Sequence, residues 1–101
     1  MTDIQKTTTL LRRYSIKPEG WSEFLEIWSK IIAVRKRHGF KILFAFEDRK
    51  ENMFTWAISF EGDIEKAAEG YYKDPERVEL EVVGNYVTDH SITEVTPVAI
   101  P

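Results

Sequence analysis

Residues 41–60, KILFAFEDRKENMFTWAISF, decide the fold. Two runs of aromatic and aliphatic residues, 41–47 and 53–60, flank the charged stretch Glu47-Asp48-Arg49-Lys50-Glu51-Asn52. That connection is too short to hold a helix, so the two runs are expected to pair as an antiparallel hairpin. Successive strand residues point to opposite faces. The second run then puts Phe54, Trp56, Ile58 and Phe60 on one face and Met53, Thr55, Ala57 and Ser59 on the other. Strict alternation in the first run groups Ile42, Phe44 and Phe46 against Leu43 and Ala45.

Towards the amino terminus, residues 8–16 are rich in β-branched and aromatic side chains and end at the turn cluster Lys17-Pro18-Glu19-Gly20, which predicts a strand. From Trp21 the period becomes helical. Trp21, Phe24, Leu25, Trp28, Ile31, Ile32 and Arg35 form one stripe, with Glu23, Glu26 and Lys30 on the wetter side. Arg35, Lys36, Arg37 and His38 crowd the last turn, where the helix dipole favours cations, and Gly39 suits a left-handed stop.

Towards the carboxyl terminus, Asp63 is placed to cap a second helix running to about Lys73 and burying Ile64, Ala67, Ala68 and Tyr71. Asp74-Pro75 restarts the chain in an N-cap/N1 pattern, which predicts a short third helix to about Val82. The segment VELEV within it also alternates as a strand would. Gly84-Asn85 closes that segment, and Tyr86 to Val95 form the last strand.

The order β, α, β, β, α, β predicts an α+β, ferredoxin-like domain covering residues 1–101, a four-stranded antiparallel sheet with both main helices on one face. The other face is then apolar or small where a solvated face would be polar. Two helices cannot cover both sides of one sheet, so a second copy of the chain is expected to cover it, as a homodimer.

Composition narrows the chemistry. At 101 residues there is room for one core. A net charge of −3 argues against a nucleic-acid partner. The absence of cysteine removes thiolate nucleophiles, disulfides and cysteine-bound metals. Residues 1–9 contain no apolar run, so no signal peptide is expected. No stretch approaches the ~18 apolar residues of a membrane span, and a cytoplasmic location is the expectation.

The stretch LRRYSIKPEGWSEFLEIWSKIIAVRKRHGF resembles the amino-terminal half of a NIPSNAP-like protein, within the dimeric α/β-barrel superfamily. The strand MFTWAISFEG, the turn YYKDPERV and the closing SITEVTPV are similar to the rest of that pattern, so the resemblance spans about residues 8–97. It implies ferredoxin-like units whose sheets pair into a barrel, and it carries no general catalytic motif. Relatives in the superfamily include cofactor-free monooxygenases, haem-degrading oxygenases and isomerases. The haem-degrading members would need an axial histidine on the second helix, and IEKAAEGYYK has none, so no cofactor is expected.

Candidate sites follow from the side chains. His38 is placed to cap the first helix, whereas His90 lies on the last strand beside Asp89. Adjacent strand residues face opposite ways, so Asp89 is not expected to orient His90. Two distant histidines and scattered carboxylates offer no metal site. There is no dinucleotide-binding, phosphate-loop or nucleophile-elbow motif.

The aromatic residues Trp21, Phe24, Trp28, Phe54, Trp56 and Tyr71 are either a padded core or the wall of an apolar pocket. As a pocket, Arg12, Tyr14, Trp28, Phe54, Trp56 and Tyr71 would bind the ligand, with His90 the candidate catalytic base. Two functions remain open. One is a protein that binds a small apolar or aromatic ligand or a protein partner. The other is a cofactor-independent monooxygenase or isomerase using His90, Tyr14 or Arg12 on a flat substrate.

Overall fold

The computed structural model describes residues 6–101, so residues 1–5 of the amino-terminal stretch lie outside the described residues. Its elements are β1 (Thr7–Ile16), α1 (Trp21–Arg37), β2 (Lys41–Asp48), β3 (Met53–Glu61), α2 (Ile64–Lys73), α3 (Pro75–Glu79) and β4 (Val87–Val95). A 3-10 turn at Pro18–Gly20 leads into α1, and a longer one at Leu80–Tyr86 leads into β4.

The four strands form one sheet in the order β2-β3-β1-β4, with every neighbouring pair antiparallel. Each βα crossover skips a strand, so β3 sits between β2 and β1 while β1 sits between β3 and β4. This is the βαββαβ ferredoxin-like arrangement expected from the order of elements.

The local signals act as their chemistry requires. Asp63 caps α2 by accepting from the Lys66 amide at 3.1 Å. Asp74 caps α3 by accepting from the Glu76 amide at 2.9 Å, so this stretch turns helical and VELEV is not a strand. Gly39 takes φ +89°, the left-handed conformation that stops α1.

Helix α1 buries Trp21, Phe24, Ile31, Val34 and Arg35 against the sheet. They meet Phe54, Trp56 and Ile58 of β3, each at most 2% exposed. The layer is built from edge-on aromatic pairs, with Phe24 and Trp28 each 5.0 Å from Phe54 and Trp28 5.5 Å from Trp56.

The expected alternation holds in β3 and fails in β2. The register with β3 shifts between Ile42 and Phe44, so Leu43 is the extra residue of a β-bulge. Ile42 pairs with Ile58 and Ala45 with Trp56 on the helix side, whereas Phe44 pairs with Ala57 and Phe46 with Thr55 on the open side. The grouping of Ile42 with Phe44 and Phe46 is thereby corrected. One inserted residue moves both phenylalanines to the face the helices leave bare, where Phe44 is 40% and Phe46 67% exposed.

Candidate functional site

On the helix side, the β1–β4 half of the sheet is not packed flush against the helices. A cavity of about 410 Å³ lies there, between the strands, the carboxyl-terminal half of α1 and the α2–α3 corner. Alternation on β1 turns Arg12 and Tyr14 into it, and ladder partners carry Trp56 of β3 and His90 and Ile92 of β4 onto the same wall. Ile31 and Arg35, one helical turn apart on α1, form the roof. Tyr71, Tyr72, Arg77, Val83 and Val87 close the remaining side.

Five of the seven residues proposed from sequence, namely Arg12, Tyr14, Trp56, Tyr71 and His90, stand on this wall. Trp28 and Phe54 do not. Their rings stack within the aromatic layer behind Trp56, so the cluster is core at one end and cavity wall at the other. Arg35, Tyr72 and Arg77 were not singled out as site residues. Arg35 had a signal, a charge on the buried stripe of α1, but Tyr72 and Arg77 are brought in only by the reversal at Asp74-Pro75.

Guanidinium and phenol groups are paired throughout. Arg12 Nε donates to Tyr14 Oη at 2.9 Å, Arg35 Nη2 to Tyr72 Oη at 3.2 Å, and Arg77 Nε to Tyr71 Oη at 2.8 Å. Arg35 also lies 3.8 Å above the centroid of the Tyr71 ring, and Arg12 5.5 Å from that of Trp56. Burial, with repulsion from Arg12, lowers the Arg35 pKa. Burial pushes the Tyr71 phenol up. Burial acts the same way on Tyr72, but Arg35 and Arg12 outweigh it, and that phenol is more acidic than usual.

The histidines divide as follows. His90 stands opposite Tyr14 in the β1–β4 ladder. The Asp89 carboxylate accepts from the His90 backbone amide at 2.9 Å, which leaves the ring free of a carboxylate orienter. His38 caps α1 through its backbone amide, which donates to the carbonyls of Val34 and Arg35. Its ring does not cap that helix. It reaches Asp74 Oδ2 at 2.8 Å and ties α1 to the start of α3. Among the described residues no group of three or more His, Asp or Glu could hold a metal, and no helix is long and apolar enough to cross a membrane.

No family model matches the sequence, and no curated protein matches it significantly. Solved structures do match in fold. A protein of Bacteroides thetaiotaomicron with the provisional name antibiotic biosynthesis monooxygenase superposes with a TM-score of 0.78 at 21% identity, over 93% of this chain and 91% of that one. An uncharacterized NIPSNAP-like domain protein from Burkholderia xenovorans gives 0.79 at 16% identity, over 94% and 88%. A NIPSNAP family protein of unknown function from Agrobacterium tumefaciens gives 0.80 at 14% identity, over 92% and 89%. The chain therefore carries the ferredoxin-like α+β fold shared by NIPSNAP domain proteins and the structures named as antibiotic biosynthesis monooxygenases.

Proposed function

We propose that this protein, working as one domain in the cytoplasm, binds a small flat organic ligand between its sheet and helices and pairs with a second copy through its open sheet face. The observation that carries the binding reading is the cavity itself. Its volume of about 410 Å³ falls within the roughly 300–1,000 Å³ of small-molecule pockets. Aromatic and aliphatic side chains make much of its wall, with a few polar groups set among them. A recess of this shape suits a small molecule better than a protein surface.

The pairing rests on the bare face of the sheet, where the bulge places Phe44 and Phe46 with their ring centroids 5.3 Å apart. Two sheets meeting there would cover both rings.

The binding reading is tested by NMR on protein labelled at the tryptophan indoles, with 2-naphthol as probe. The Trp56 indole signal should move saturably. That of Trp21, whose Nε1 donates to Asn52 Oδ1 at 2.9 Å away from the cavity, should stay still. A Trp56 signal indifferent to millimolar probe would overturn the reading.

A second reading, a cofactor-independent monooxygenase or isomerase, is favoured by one observation. His90, Tyr14 and Arg12 share a wall with the acidified phenol of Tyr72, so proton acceptors and a cation surround the ligand space. Solved neighbours bearing the name antibiotic biosynthesis monooxygenase have this fold. Oxygen uptake with a flat hydroxyarene, above the protein-free rate and lost in His90→Gln, would support it. Uptake no faster than the blank would remove it.

A further inference from the structure

The cavity holds positive charge without its counterpart. Arg35 is 3% and Arg12 9% exposed, and Arg77 stands on the same wall. A guanidinium stays protonated, and a buried one ordinarily faces a carboxylate. Among the described residues no Asp or Glu lines this cavity. The nearby carboxylate contact is Glu81 Oε1 on the exposed side, 3.7 Å from Arg77 Nη1 and beyond hydrogen-bonding distance. The ring of Tyr71 beneath Arg35 offsets part of that charge, but an aromatic face is a weaker partner than an oxyanion.

The donors are also left over. Arg35 Nε, Arg77 Nη1 and Trp56 Nε1 are buried with no acceptor among the described residues. Tyr14, Tyr71 and Tyr72 each accept from a guanidinium, so each hydroxyl proton remains free to be donated. Three guanidinium side chains and three phenols with a proton free to donate thus line a space that contributes few acceptors. Donors that line an enclosed space require acceptors, and on this wall a ligand is the group placed to bring them.

We infer that the cavity takes a planar organic anion, its carboxylate held among Arg12, Arg35 and Arg77 and its ring lying against Trp56 and Ile31. This rests on the small-molecule reading above and names the ligand class. The apolar part of the wall selects an anion with a ring over a bare inorganic one. The forked guanidinium geometry matches a carboxylate better than a single-point acceptor.

The test is calorimetry on the full chain with two probes of one shape, 2-naphthoate and its neutral amide 2-naphthamide, and with inorganic phosphate as competitor. The naphthoate should bind at least about tenfold tighter than the amide. Arg35→Met and Arg12→Met should each remove most of that preference. Phosphate at the naphthoate concentration should not displace it. Equal affinity for the two probes would overturn the anionic class and leave the small-molecule reading standing. So would a naphthoate preference that survives both substitutions, or full displacement by phosphate. Binding of neither probe would remove both readings. If Arg35→Met does not fold, the probe pair on the unaltered protein and the Arg12→Met variant decide the matter.

Discussion

The guanidinium carbon of Arg35 lies over the ring of Tyr71, 3.8 Å from its centroid, while the Tyr71 hydroxyl accepts a hydrogen bond from Arg77 on the other side of the corner. One phenol thus links the last turns of α1 and the start of α3, with two cations drawn towards it. The arrangement holds like charges in close quarters, which carries a cost in stability. On the proposed reading, this local conflict is the site awaiting its ligand.

That conflict predicts a stability change opposite to the usual core substitution. Arg35→Met keeps the apolar stem, removes a buried charge and relieves its repulsion with Arg12. Unfolding in urea should show the variant within about 1 kcal/mol of the parent, or more stable than it. A loss above about 3 kcal/mol would show that the stacking on Tyr71 is structural in purpose.

Trp28 supports the aromatic layer without touching the cavity. Its ring meets Phe54 and Trp56 edge-on, and its indole N–H is buried without a partner among the described residues. Trp28→Ala should therefore cost about 3 kcal/mol, the low end for emptying a core aromatic, because the side chain is only partly buried. Trp28→Phe gives up no hydrogen bond and should cost less than about 1.5 kcal/mol. Chemical denaturation of the two variants separates these outcomes.

On the proposed pairing, the open sheet face sets the oligomeric state. Light scattering at micromolar concentration should give the mass of two chains for the parent protein. Phe46→Glu introduces a charge at the most exposed ring of that face and should weaken pairing by at least about 30-fold, the effect of losing a central interface residue. A parent protein of one chain's mass would remove the pairing, and a Phe46→Glu variant that still pairs would place the interface elsewhere.

Asp74 makes the fold sensitive to acid. Its carboxylate accepts from His38 Nε2 and Arg37 Nη2, both at 2.8 Å, and from the Glu76 amide. These bonds, that from His38 first, hold its pKa well below the ordinary value of 3.8. A depressed carboxylate stabilises the folded state above the unfolded pKa, and that contribution is lost as pH falls from about 4 towards the folded value. The stability gap between the parent and Asp74→Asn should shrink as pH falls from about 5 into more acidic solution. Urea midpoints across that range test it, and a gap independent of pH would show that the carboxylate's charge is immaterial.

Much of this architecture was legible from single residues. Asp63, Asp74-Pro75 and Gly39 mark helix ends because capping and left-handed turns depend on the local chain alone. The alternation Phe54, Trp56, Ile58 identified the buried face of β3 because strand periodicity is local too. The short link between residues 47 and 53 made the hairpin, and with it the order of elements. Arg12 and Tyr14 could be placed on one face of β1 because alternating strand residues share a face, and the ladder then set Trp56 and His90 beside them.

Tertiary structure decided the rest. The bulge at Leu43 turned Phe44 and Phe46 outward, and no local signal announces a bulge, since it is set by how β2 must bend along β3. Trp28 and Trp56 are the same residue type at comparable positions in their stripes, yet only Trp56 meets the cavity, because the α2–α3 corner stands off from the sheet at that end. Arg35, Tyr72 and Arg77 come from three segments and converge only when the chain doubles back at Asp74. Periodicity within a segment reports which side of it is buried. Where two buried sides fail to touch, and which charges are left facing each other across the gap, depends on the packing of segments distant in sequence.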